Sequence, residues 1–141
     1  MPLLAGADDE TPRDALKALS GKWIVESSET LGKKITKDEL PWEWTFTADG
    51  KAVLTDRKMG KESQYTYTID NSKSPQTIDI IYQGPEPTLK NAKQLGIYKL
   101  ENNKLTILLG KPGGTEKDRP KELAAPMESD FLMRLERAKD D

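Results

Sequence analysis

The chain has 141 residues, 33% charged and 35% hydrophobic, enough for one domain with one substantial core and little apolar surplus. Lys and Arg number 22 against 24 Asp and Glu, a net charge of -2, which excludes the broad basic field that nucleic acid or an anionic membrane selects. Cys and His are both absent, which removes disulfides, iron–sulfur clusters, thiolate and imidazole metal sites, thiol nucleophiles and the Ser-His-Asp triad. The carboxylates are scattered and form no Asp/Asn-x-Asp/Asn-x-Asp/Asn-Gly calcium loop, so neither a metal nor a cofactor is expected.

Residues 1–10, "MPLLAGADDE", are expected to be a disordered remnant. Leu3-Leu4-Ala5-Gly6-Ala7 has the look of the tail of a signal-peptide apolar region, and Ala5-x-Ala7 is the small-x-small pattern cut by a signal peptidase. That reading implies export to the periplasm or the cell exterior. The same short pattern also fits a ragged cytosolic N-terminus. No segment reaches the length of a membrane span, and one domain is expected over residues 11–139.

Thr11-Pro12-Arg13-Asp14 opens a helix: Thr11 can cap, Pro12 suits the first helical position, and Asp14 sits where a capping-box acid would. Ala15, Leu16 and Leu19 make a narrow apolar face, and Gly21 ends it. Two turns are too short to persist alone in water, so the helix must pack on something.

Beyond Gly21 the apolar period becomes two. Trp23, Val25 and Ser27 alternate with Ile24, Glu26 and Ser28; "KKITKDELP" reads as a turn region; Trp42, Trp44 and Phe46 then mark a half-buried strand. Asp49-Gly50 is a hairpin turn leading to Ala52 and Leu54. Met59-Gly60 turns again, and Tyr65, Tyr67 and Ile69 share a face. "DNSKSPQ" is loop chemistry, followed by Ile78, Ile80 and Tyr82 on one face. After "GPEPTLKNAK", the runs "QLGIYKLE" and "KLTILLG" flank the turn Asn102-Asn103, with Leu105, Ile107 and Leu109 on one side. "KPGGTEKDRPKELAAPMES" is a long surface excursion, and Phe131, Met133 and Leu135 face one way on the last strand.

About eight strands with mostly tight turns and no crossover helix exclude parallel βαβ units. The expected fold is all-β: an eight-stranded antiparallel up-and-down barrel with a short N-terminal helix, which abolishes sheet edges. A sandwich is the alternative; it needs Greek-key crossings, and only the long loop could make one. In such a barrel the last strand pairs with the first, which brings its end beside Trp23. Arg137 shares the parity of Phe131, Met133 and Leu135, so its guanidinium is expected over the Trp23 ring, closing the barrel with Gly21 at the turn. Arg134, on the opposite parity, is the other candidate.

Several short motifs occur in a fixed order: Leu19-x-Gly21-x-Trp23; Phe46 before Asp49-Gly50; Tyr67-x-Ile69-Asp70 before Ser72-x-x-Pro75-x-x-Ile78-Asp79; Gly96-Ile97-Tyr98-x-Leu100 before Leu105; Arg119-Pro120; and Leu135-x-Arg137. In this the chain resembles the lipocalin and fatty-acid-binding superfamily, the calycins. More narrowly, it resembles an uncharacterised lipocalin-like domain family abundant in planctomycete bacteria. The resemblance runs from about residue 14 to 138. It implies a lipocalin-like barrel, no assigned activity and frequent export. The Tyr-rich fourth strand and the paired tryptophans of "PWEW" depart from that pattern.

Trp42, Trp44 and Phe46 are candidates for the aromatic wall of a ligand cavity, with Tyr65, Tyr67, Tyr82 and Tyr98 adding polar tips. The same rings could simply fill the barrel, since eight strands leave room for side chains or one small ligand. Trp42, after Pro41, is expected at a mouth, partly exposed. Asp79 should point outward and pair with a loop, and Arg119 should pin the long loop with Leu123 beneath it. No spacing aims two carboxyls into one cleft, so no catalytic residue is expected. Two functions stay open: a monomeric carrier of a small apolar or aromatic ligand, and a structural or protein-interaction module with a filled barrel.

Overall fold

The computed structural model describes residues 12–30, 33–36, 39, 41–70, 72–73, 75–84, 92–110, 113–121 and 131–138. The expected N-terminal remnant at 1–10, the capping residue Thr11 and Leu123 lie outside the described residues.

The short helix α1 runs Pro12–Leu19. It stops where the Ser20 backbone N–H returns to the Leu16 and Lys17 carbonyls at 3.0 and 3.1 Å. Gly21 then takes φ 119°, a conformation that side chains rarely adopt. A Cβ there would also sit 3.0 Å from the Arg137 guanidinium. The chain turns directly from helix into strand at this glycine.

The strands are β1 (Gly21–Thr30), β2 (Lys33–Thr36), β3 (Trp42–Phe46), β4 (Lys51–Asp56), β5 (Lys61–Asp70), β6 (Gln76–Tyr82), β7 (Lys93–Glu101), β8 (Lys104–Leu109) and β9 (Phe131–Arg137). Neighbours in sequence pair antiparallel from β3 to β9, β1 pairs with β3, and β9 returns to pair with β1. The result is a closed eight-stranded antiparallel barrel, and the sandwich alternative is excluded by that closure.

Two details differ from the sequence reading. The segment read as a turn contains β2, which lies on the far half of β1 from Ser27↔Thr36 to Thr30↔Lys33. Its only apolar residue is Ile35, so no alternation could reveal it; the strand exists because β1 outruns β3 and offers unpaired backbone groups there. The second detail is a bulge between β1 and β9, where the partner of Arg134 is Ser27 but that of Leu135 is Val25. The extra residue, Glu26, re-phases β1. Trp23 and Val25 face the interior on one side of it, whereas beyond it Ser28, not Ser27, stands opposite the inward Met133.

The interior is filled by Leu19, Trp23, Phe46, Tyr67, Ile78, Ile80, Leu105, Ile107 and Leu135. Outside the barrel, Ile97, Leu108 and Leu132 form a second buried cluster on neighbouring strands. Gly96 lies in this region; a Cβ there would come within 2.4 Å of the Leu108 carbonyl, so the close approach of β7 and β8 needs glycine. The excursion between β8 and β9 is tied down by Arg119. Its guanidinium donates to the Gly96 carbonyl at 2.8 Å, grips the Glu116 carboxylate through two nitrogens at 2.6 and 3.0 Å, and lies 2.8 Å from Asp79. Among the described residues no helix is long and apolar enough to cross a membrane.

Candidate functional site

The barrel has two chemically different ends. At the helix end lie the start of β1, the end of β3, the start of β4 and the end of β9. Trp23 is fully buried there, and its Nε1–H donates to the Leu19 carbonyl at 2.8 Å. Arg137 reaches across: its Cζ lies 4.2 Å from the centre of the Trp23 ring. Its two terminal nitrogens donate to the Ser20 and Ala18 carbonyls, each at 2.9 Å. A cation on the last carbonyls of α1 also complements the helix dipole. Arg134 instead faces solvent and stands 3.6 Å from Glu29. Trp23, Gly21 and Arg137 are therefore architecture, with every polar atom of the indole and much of the guanidinium already occupied.

The other mouth lies where β3 and β9 begin and β6 and β8 end. It contains a cavity of about 150 Å³ whose wall includes Trp42, Trp44, Tyr65, Gln94 and Phe131, with Leu54, Ile80, Leu109 and Met133 completing it. Alternation explains how it is built. Trp42 and Trp44 are both on the inward parity of β3, and register sets Trp44 beside Leu54 on β4. The rings form a connected series: Trp42 to Phe131 at 6.5 Å between centroids, Trp44 to Tyr65 at 5.1 Å, and Tyr65 to Tyr82 at 5.5 Å. Trp42 is half-buried, as suits a residue at a rim.

The seven candidate rings are thus divided. Trp42, Trp44 and Tyr65 line the cavity. Tyr82 supports Tyr65 edge-on at the same end but does not line it. Phe46, Tyr67 and Tyr98 are buried below, as core. Phe46 stacks beneath Trp44 at 5.6 Å and touches Tyr67 edge-on at 5.0 Å. The Tyr67 hydroxyl donates to the Thr47 carbonyl at 2.7 Å, so its polar tip serves the β3–β4 turn. Three of the seven candidate rings line the cavity, joined there by Phe131, because position along the strand decides which end an inward ring reaches.

Sequence reasoning missed Gln94 and Phe131. Phe131 had the right parity, but only the pairing of β9 with β1 carries it to this mouth. Gln94 shares the parity of Tyr98, which makes it a polar residue pointing inward; that was the available signal. Its Nε2 donates to the Gly110 carbonyl at 3.1 Å, which fixes the amide.

Burial raises the Tyr65 phenol above its ordinary value, helped by Tyr82. Burial, then the Asp49 carboxylate and Tyr98, push Tyr67 up to about 12. Both phenols stay protonated at neutral pH and act as hydrogen-bonding groups, not bases. Among the described residues no group of three acidic side chains converges to hold a metal. A second depression of about 390 Å³ lies outside the barrel, between Asp70, Lys73, Thr77 and the Arg119–Glu116–Asp79 cluster. Its charged groups are largely committed to one another. The Glu116 carboxyl is held below its usual range by the Arg119 hydrogen bond, and Arg119 is raised first by Glu116.

A closed antiparallel barrel with a short helix at one end and an apolar mouth at the other defines a lipocalin-like protein. Over residues 19–107 the chain matches the model of the lipocalin-like domain, and it belongs to that family. The match runs from the end of α1 into β8, whereas β9 and Arg137, which complete the closure, lie beyond it. No curated protein and no solved structure matches the chain.

Proposed function

We propose that the domain is a non-catalytic, monomeric carrier that holds one small apolar or aromatic molecule in the open mouth of the barrel. The observation that carries this reading is the cavity of about 150 Å³ walled by Trp42, Trp44, Tyr65 and Phe131. Apolar cavities of about that size stay dry and take up benzene-sized molecules. The volume is below the roughly 300–1,000 Å³ of pockets for larger ligands, which argues against a fatty acid or a porphyrin.

Thermal denaturation in millimolar toluene tests the reading. Binding to the folded state alone raises the midpoint in proportion to occupancy. The expected result is a rise for the natural sequence and none for Leu54→Phe, whose ring occupies the cavity. An unchanged midpoint for the natural sequence in toluene and in indole would remove the carrier reading. It would favour the second one, a structural or interaction module. That reading draws on the burial of Phe46, Tyr67 and Tyr98 in the lower half of the barrel.

A further inference from the structure

One glycine near the open mouth has a use that its backbone does not explain. Gly84 lies two residues past the end of β6 and, unlike Gly21, Gly50, Gly60 and Gly113, takes no positive φ. Its conformation therefore does not ask for glycine. Its surroundings do. A Cβ at Gly84 would overlap the hydroxyl oxygen and Cζ of Tyr82 and lie 2.9 Å from Cε1 of the same ring, closer than real Cβ atoms come. The bare Cα of Gly84 is the seat on which the end of the Tyr82 phenol rests.

The backbone around this seat is held from both sides. The Tyr82 N–H donates to the Ala92 carbonyl at 2.9 Å, and the Gln83 N–H donates to the Gln64 carbonyl at 2.7 Å. Gln83 Nε2 also donates to Thr66 Oγ1 at 3.2 Å. The end of β6 cannot slide away from a methyl added at Gly84 without breaking these bonds, so the phenol is the part that moves. Tyr82 stands opposite Tyr65 in the register of β5 and β6, and the two rings meet edge-on, 5.5 Å between centroids. Tyr65 in turn lines the cavity and packs on Trp44 at 5.1 Å. Gly84 and Tyr82 are themselves not wall residues.

We propose that Gly84 is a positioning residue for ligand binding: it seats Tyr82, Tyr82 buttresses Tyr65, and Tyr65 keeps the cavity to the shape of a single ring. This rests on the carrier reading above. In a cavity of about 150 Å³ a wall ring displaced in either direction spoils the fit. Inward, it takes volume from the ligand; outward, it opens a gap across which dispersion contacts are lost.

Isothermal titration of toluene into the natural protein, Gly84→Ala, Tyr82→Leu and the double variant tests it. Urea midpoints are measured alongside, so that a loss of fold is not read as a loss of affinity. Gly84→Ala and Tyr82→Leu should each weaken toluene binding about tenfold, although neither changes a wall residue. The double variant should bind within about twofold of Tyr82→Leu, because leucine leaves no phenol for the added methyl to displace. A Gly84→Ala affinity within about twofold of the natural protein's, or a further loss of about tenfold in the double variant, would each overturn the inference and leave the carrier reading standing. Absence of toluene binding to the natural protein overturns both. Should Gly84→Ala fail to fold, Tyr82→Leu alone tests the buttress, and an unchanged toluene affinity contradicts it. The seat is then tested by NMR on the natural protein. Nuclear Overhauser contacts should join the Gly84 Hα protons to the Tyr82 ring, and their absence contradicts the proposal.

Discussion

The two ends of this barrel use the same residue type for opposite purposes. At the helix end Trp23 is fully buried, its N–H is bonded to Leu19 and its face is covered by Arg137. At the open end Trp42 is half-buried and both Trp42 and Trp44 line a cavity. A tryptophan whose polar atom and faces are all satisfied is a structural plug. One whose ring borders a cavity is placed for the carrier role proposed above. On the proposed reading, closure and binding are separated along the barrel axis.

That separation can be broken by mutation, and the largest effect should come from Trp23→Ala. Loss of a buried aromatic costs about 3–5 kcal/mol, read as a shift in the urea midpoint. A loss below about 1 kcal/mol would place Trp23 among surface residues and end the plug account. Next comes the Trp23–Arg137 contact. A double-mutant cycle using Trp23→Phe and Arg137→Ala should show coupling of about 1–2 kcal/mol. The single Arg137→Ala should cost more than the coupling, because it also frees the Ala18 and Ser20 carbonyls.

Tyr67 gives the closed end a pH signature. Its folded-state pKa, about 12, lies above the ordinary value of 10.0, so the neutral phenol is favoured by folding. The contribution is fully present below the unfolded pKa near 10 and is lost as pH rises toward 12. Denaturant midpoints measured from pH 9 to 12 should fall across that window, and fall less for Tyr67→Phe.

Smaller effects belong to the open end. Trp42→Ala, at the rim, should cost about 1 kcal/mol or less of stability, yet weaken toluene binding by about tenfold in the same titration. A cost near that of Trp23→Ala would show that both ends share one structural role. Arg134→Ala should be smallest of all, within about 0.5 kcal/mol, since an exposed ion pair at 3.6 Å contributes little.

Much of the barrel was legible in the sequence because alternation and tight turns are local signals. Trp42-x-Trp44-x-Phe46 and Tyr65-x-Tyr67-x-Ile69 declare which face is inward without any tertiary information. The barrel's closure was expected from the number of consecutive antiparallel strands, and parity put Arg137 in step with Leu135. Strand β2 was hidden because its pairing depends on the overhang of β1, not on its own pattern. The bulge at Glu26 was hidden because a one-residue shift leaves no mark in two adjacent serines. The site was harder still. Parity says that seven rings point inward, but only the register between strands says that Phe46, Tyr67 and Tyr98 lie at the filled end and that Gln94 and Phe131 join Trp42, Trp44 and Tyr65.

The central claim, that binding belongs to one end and closure to the other, is tested most directly by a toluene titration followed through the three indole N–H resonances in a proton–nitrogen NMR spectrum. The account predicts that Trp42 and Trp44 shift with one saturating curve while Trp23, bonded to Leu19 beneath Arg137, stays in place. A shift of Trp23 as large as those of Trp42 and Trp44, or no shift of any of the three, would contradict it.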